Sequence, residues 1–202
     1  MANKEPGKAR LLHAECGVMN EKRMRTACFT GHRQLAEPTE KIRCHLSRAI
    51  EKLIYSGYQY FGAGGARGFD ALASDIVLNQ KEQYPHIHLI LVLPFECQYR
   101  HERDWSKAEV DQYRRLKAQA SKVVTLAPEY RPGIYYQRNR HLVDRSSVCI
   151  AYMTRENSGT GHTVHYAKAK GLRVIQIAGA SQLPGKNHHI HQPPPRLVNG
   201  VV

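Results

Sequence analysis

Three short glycine-bearing segments hold the residue types best suited to chemistry, and the chemistry they suit is the binding of phosphate. The first is Thr30-Gly31-His32-Arg33, where a glycine lets backbone approach a ligand and His32 and Arg33 can contact an anion, or which is simply a plain turn. The second runs from Gly62 to Asp70 and places four glycines in seven residues: Gly62, Gly64, Gly65 and Gly68. Backbone amides exposed at such a turn, followed by a helix N-terminus, both favour negative charge. Arg67 adds a two-pronged guanidinium, whereas Asp70 is equally suited to capping the next helix. The segment is not a Walker loop, and a dinucleotide fingerprint counted from Gly62 ends at Arg67 where glycine is required. The third is Asn157 to Thr163, in which Ser158, Gly159 and Thr160 offer amides and hydroxyls, or simply a capped glycine turn. Between the second and third lie Arg138-Asn139-Arg140, preceded by Tyr135-Tyr136. These residues can hold a phosphate, a ribose or a base, or can form a solvated helical face.

The elements needed to position these segments alternate along the chain. Thr26 to Thr30 is a short strand pattern, followed by a helix from about Thr39 with Ile42, Leu46, Ile50 and Leu53 at helical spacing and Gly57 just past its end. Tyr58 to Phe61 reads as strand, and Leu72, Ala73, Ile76 and Val77 mark the inner face of the next helix. His88 to Leu93 is a buried-strand pattern closed by Pro94. Residues 98–120 form one charged helix whose Trp105, Ala108, Tyr113 and Leu116 face a core. Val123 to Leu126 is a strand, residues 135–145 a helix, Val148 to Met153 a strand, Val164 and Ala167 a last helix, and Arg173 to Ile177 a last strand. Strand and helix repeated this way predict an α/β fold, a Rossmann-like three-layer sandwich around a mostly parallel central sheet. All three glycine segments fall at strand-to-helix junctions, which is where such sheets bind ligands.

The remaining composition bounds the partners. Residues 1–25 read as a flexible arm, 26–178 as the folded domain and 179–202 as a disordered tail. The formal charge is +13; the arm carries +3 and the tail +2, leaving +8 on residues 26–178. A basic body draws anionic ligands, nucleotides or nucleic acid, or is a generally basic surface and no more. No run approaches a membrane span and no signal-peptide pattern opens the chain, so a cytoplasmic protein with reduced thiols is expected. The five cysteines include no CxxC pair, and the tail histidines lack partner ligands, so no metal site is expected. Self-association is left open.

The strings TGHR at 30–33, GGARGFD at 64–70, LPFE at 93–96, RNRHLVDRSS at 138–147 and SGTGHTVHYAKAKG at 158–171 resemble the YpsA-like branch of the SLOG superfamily. Its relatives are DprA and the LOG (lysine decarboxylase-like) proteins. The resemblance covers Thr26 to Ile177, about three quarters of the chain. It implies a Rossmann-like fold and a nucleotide-like ligand of the AMP, NAD or ADP-ribose class, held by a sensor or carrier module. At matching positions it implicates Gly31, Gly64, Gly65, Arg67, Arg138, Asn139, Gly159 and Thr160. Two alternatives come with it. LOG-type hydrolases release a base from a nucleoside monophosphate, pairing an arginine with a glutamate after a glycine-threonine motif; that carboxylate steadies oxocarbenium-like charge. Arg138 matches the arginine, but no Asp or Glu follows Glu156, leaving only acids from elsewhere such as Asp70, Glu96 or Asp144. Single-stranded DNA binding, as in DprA, wants a basic groove with interleaved aromatics, for which residues 98–120 are the candidate.

Overall fold

A computed structural model of the chain describes residues 20–102 and 104–178. Most of the expected arm and the whole of the expected tail lie outside the described residues; residues 20–24 are helical and lead into the first strand. Six strands follow: β1 (Thr26–Gly31), β2 (Tyr60–Ala63), β3 (His88–Phe95), β4 (Lys122–Ala127), β5 (Val148–Tyr152) and β6 (Arg173–Gln176). They form one sheet in the order β4-β3-β2-β1-β5-β6, with every pairing parallel. The helices are α1 (Thr39–Tyr55), α2 (Phe69–Gln83), α3 (Gln98–His101), α4 (Lys107–Gln119), α5 (Ile134–Asp144) and α6 (Gly159–Ala169).

Alternate residues of the strands feed two cores. Ala27, Phe29, Phe61, Leu89 and Leu91 pack with the apolar faces of α1, α2 and α4. Cys28, Val92 and Cys149 point the other way, against Leu142 and Val143 of α5 and Ala167 of α6. Helices therefore cover both faces, as the uninterrupted apolar strands require. The chain lays down β1 to β4 in one direction, then returns through α5 to place β5 on the far side of β1. That reversal between β1 and β5 opens a crevice at their carboxyl ends.

Three local readings need correction. The strand expected to close at Pro94 runs through it to Phe95, which pairs with Ala127. The strand expected from Tyr58 begins at Tyr60, because Tyr58 still belongs to the end of α1. Its N–H bonds to the Leu53 carbonyl while Gly57, at φ 87°, bonds to Ile54, the paired contacts of a Schellman close. The helix expected over 98–120 is broken: α3 ends at His101 and α4 restarts at Lys107. Ser106 and Glu109 form a reciprocal capping box that starts the new helix. Trp105, Tyr113 and Leu116 do meet the core, but Ala108 is exposed.

Candidate functional site

The crevice holds a cavity of about 460 Å³, and all three glycine segments contribute to its wall. Gly31, His32 and Arg33 come from the end of β1, Ala66 and Arg67 from the loop after β2, Asp70 from the first turn of α2, and Ser158, Gly159 and Thr160 from the start of α6. Tyr135, Arg138 and Asn139 of α5 close one side, and Arg155 stands at the entrance to α6. Gly64, Gly65 and Gly68 lie behind this wall, and their role is to let it form.

Arg138 is the residue around which the site is built. It falls on the inward stripe of α5, four residues from both Ile134 and Leu142, where an apolar side chain would ordinarily stand. It is only 7% exposed. Its Nη1 lies 3.5 Å from Asp70 Oδ2, yet Nε and Nη1 have no hydrogen-bond acceptor among the described residues. Burial pulls the guanidinium pKa down against the opposing pull of Asp70. Burial likewise pushes the Asp70 carboxyl up, against the stabilising effect of Arg138 and of backbone amides. Desolvation thus outweighs attraction within the pair. A buried donor left without an acceptor costs about 1–3 kcal/mol or more.

The glycine cluster works differently from a phosphate cradle. The Gly64 amide donates to Asp70 Oδ2 at 2.9 Å, and the Ala66 amide also bonds to that carboxylate. The anion in this nest is the protein's own Asp70. Each flanking glycine makes room for a neighbour. A Cβ on Gly65 would meet Leu93 at 2.6 Å, and one on Gly68 would meet the Arg33 carbonyl oxygen at 2.2 Å. Gly31 does the same for Phe69, whose ring would lie 2.4 Å from an added Cβ. Phe69 in turn stacks on Tyr152 of β5 at 5.6 Å. The Tyr152 hydroxyl accepts the Ala36 and Glu37 amides, so the loop after β1 is pinned to β5.

Further backbone amides lie at the start of α6. Gly159 and Thr160 are its first two residues, positions that have no intrahelical acceptor. Ser158 caps the helix, accepting from the Gly161 amide at 3.0 Å, and no acid occupies the first turn. The positive end of the helix dipole is therefore uncompensated where it meets the cavity. Thr163 receives a hydrogen bond from Asn139 at 2.9 Å. Asn139 thus fastens α5 to α6, and Arg138 of the one and Gly159 and Thr160 of the other line the same cavity.

The other cations differ in availability. Arg67 lines the cavity and turns its guanidinium to the Asp104 carboxylate and main-chain carbonyl, with Glu109 at 3.7 Å. Arg33 is paired with Glu102 at 2.6 Å. Arg155, which the sequence reading passed over, is exposed at the rim; a cation just ahead of a capped glycine turn was its available signal. His32 Nε2 accepts from the Thr154 amide at 3.0 Å, which leaves the proton on Nδ1, 3.5 Å from Thr160 Oγ1. Burial and then Arg155 lower its pKa. The imidazole is neutral and joins the first loop to the third. Among the described residues no group of His, Cys, Asp or Glu is arranged to hold a metal ion, and no helix is long and apolar enough to cross a membrane.

Residues 28–174, which span the sheet from within β1 to within β6, match the YspA SLOG family. The chain belongs to that family. A UPF0398 protein of Bacillus pumilus is 26% identical over 121 residues, covering 59% of this chain and 63% of that relative. The UPF0398 protein ABC2016 of Shouchella clausii is 31% identical over 123 residues, covering 57% and 64%. The chain thus spans a little under two thirds of the length of these relatives. DNA processing protein A from Helicobacter pylori, whose structure is described for its single-stranded DNA binding mode, superposes with a TM-score of 0.53 at 16% identity. That match covers 79% of this chain and 67% of the other. At this identity the likeness is one of fold, consistent with the SLOG superfamily.

Proposed function

We propose that this SLOG protein binds the phosphate of a nucleotide or nucleotide-derived ligand in the β1–β5 crevice, as a sensor or carrier module. The observation that carries this reading is Arg138, a nearly fully buried guanidinium that lines the same cavity as Gly159 and Thr160, the first two residues of α6. A phosphate oxygen can accept from the guanidinium and from the Gly159 and Thr160 amides together. A cavity of 460 Å³ is within the range of small-molecule sites.

The hydrolase reading has less support. Of the acids considered for it, Glu96 is turned to Lys117 and Thr125, and Asp144 to Tyr166. Asp70 is the carboxylate of the cavity wall, and its oxygens are already engaged by two amides and Arg138. Single-stranded DNA binding is the function named for the Helicobacter pylori neighbour, and it too has less support here. The rings of Tyr99, Trp105 and Tyr113 pack on one another, and Arg114, Arg115 and Lys117 are paired with Asp111, Asp75 and Glu96.

Calorimetric titration with AMP, ATP, NAD and ADP-ribose tests the reading, with Arg138→Gln as the comparison. Saturable binding of at least one ligand, lost or weakened at least about tenfold in the variant, is expected. Absence of binding by all four to the folded wild-type protein contradicts it.

A further inference from the structure

The cavity wall continues outward into an aromatic cluster that the phosphate site does not use. Tyr135, which lines the cavity, has its ring 5.9 Å from Phe95 at the end of β3 and 6.3 Å from Tyr130 in the loop after β4. Phe95 is buried and stands edge-on to Tyr130 and to His101, each at 5.8 Å. On this base Tyr130 and His101 lie face to face, with centroids 3.8 Å apart and planes 20° from parallel. Both are exposed, Tyr130 to 45%. Two exposed rings are thus held stacked at the surface against a buried aromatic residue. Arg33, another wall residue, sits 5.9 Å over the Tyr135 ring, so cationic wall and aromatic surface are continuous.

We propose that the Tyr130–His101 stack is the base subsite of the ligand whose phosphate lies at Arg138, Gly159 and Thr160; the proposal rests on the nucleotide reading above. A planar base extends the stack by adding one more layer, and a π-face serves every base alike. The arrangement fixes a polarity. The phosphate lies on the α6 side of the crevice and the base on the side of β3 and β4, so the ligand lies across the carboxyl ends of the central strands. The ligand class is thereby narrowed to molecules carrying both a phosphate and an aromatic base, as against sugar phosphates or inorganic polyphosphate. Stacking separates a base from no base, and only weakly one base from another.

AMP and ribose 5-phosphate differ by the base alone and separate the two halves of the site. Each is titrated calorimetrically into the full chain and into the Tyr130→Ala, Tyr130→Phe and Gly159→Pro variants, with circular dichroism confirming the fold. The wild type is expected to bind AMP about tenfold or more tighter than ribose 5-phosphate. Tyr130→Ala removes that advantage and leaves ribose 5-phosphate binding as it was, Tyr130→Phe retains it, and Gly159→Pro weakens both ligands. Equal affinity of the wild type for the two ligands overturns the base subsite while leaving the phosphate site standing. So does equal loss of both ligands in folded Tyr130→Ala, which would make the stack a support for the wall. If neither ligand binds the wild type, the base subsite is overturned, and the nucleotide reading is decided separately by the titrations with ATP, NAD and ADP-ribose.

Discussion

Arg138 Nη1 sits 1.2 Å from the point at which a Cβ on Gly64 would stand. The glycine is thus a socket for a guanidinium carried by a different element. Gly64→Ala is expected to push Arg138 out, because the obstructing atom is the far end of a long side chain and yields before backbone does. Overpacking of this kind costs about 1–3 kcal/mol, and phosphate binding should fall about tenfold or more as the charged contact is lost. Urea denaturation and calorimetry on one preparation check both. Unchanged binding would show that Arg138 does not hold the ligand.

Gly159→Pro separates the amide site from the fold. Residue 159 is the first of α6, where proline's missing N–H breaks no helical bond. The preceding Ser158 is extended (φ −159°, ψ 165°) and a Cβ at 159 meets open space, so proline fits. Stability should be unchanged or raised by about 0.4–1 kcal/mol, while anion affinity falls about tenfold or more because one charge-assisted donor is gone. Retained affinity would place the phosphate elsewhere.

Asp70→Asn distinguishes a structural carboxylate from a reacting one. Asparagine keeps one acceptor oxygen and replaces the other with a donor facing the Gly64 and Ala66 amides or Arg138. A loss of about 1–3 kcal/mol in stability is expected. Anion affinity should hold or rise, because a negative charge leaves the cavity wall. A folded variant of normal stability that binds ligand poorly would assign Asp70 to the ligand.

Acid should loosen the contact between the first and third loops. The folded-state pKa of His32 lies below its ordinary value of 6.5, so the unfolded chain binds the extra proton. The His32 contribution is complete above that ordinary value and declines as pH falls through the folded one. The protonated ring also has no lone pair for the Thr154 amide. Thermal melts from pH 7.5 down to about pH 5 should fall more steeply in the wild type than in His32→Gln. Parallel slopes would mean that His32 is not a titrating contributor; His88 and His141, also lowered by burial, supply a common background.

The layer order was legible in the sequence because strands such as Leu89 to Leu93 are unbroken apolar runs and helices such as α1 keep a 3.6-residue apolar stripe. The junctions that gather the cavity were legible from their glycines. What those glycines do was not, since Phe69, Arg33 and Arg138 reach them only through the tertiary fold. That Asp70 fills its own nest is a fact of side-chain direction, which spacing does not carry. Two signals were present and unread: Ser106-x-x-Glu109 is capping-box spacing inside the supposed long helix, and Arg138 interrupts the Ile134–Leu142 stripe. The family match adds the fold and the superfamily, and leaves the ligand to the chemistry of the cavity.

The most direct test of the phosphate site is an amide-resolved NMR titration of the wild-type protein with AMP, following residues 159 and 160 against residues 64 and 65. A saturable downfield shift of the Gly159 and Thr160 amides, with Gly64 held on Asp70 and little changed, is the predicted result. Shifts confined to the Gly64–Gly68 turn, or none at saturating AMP, would contradict a phosphate site built by Arg138 and the start of α6.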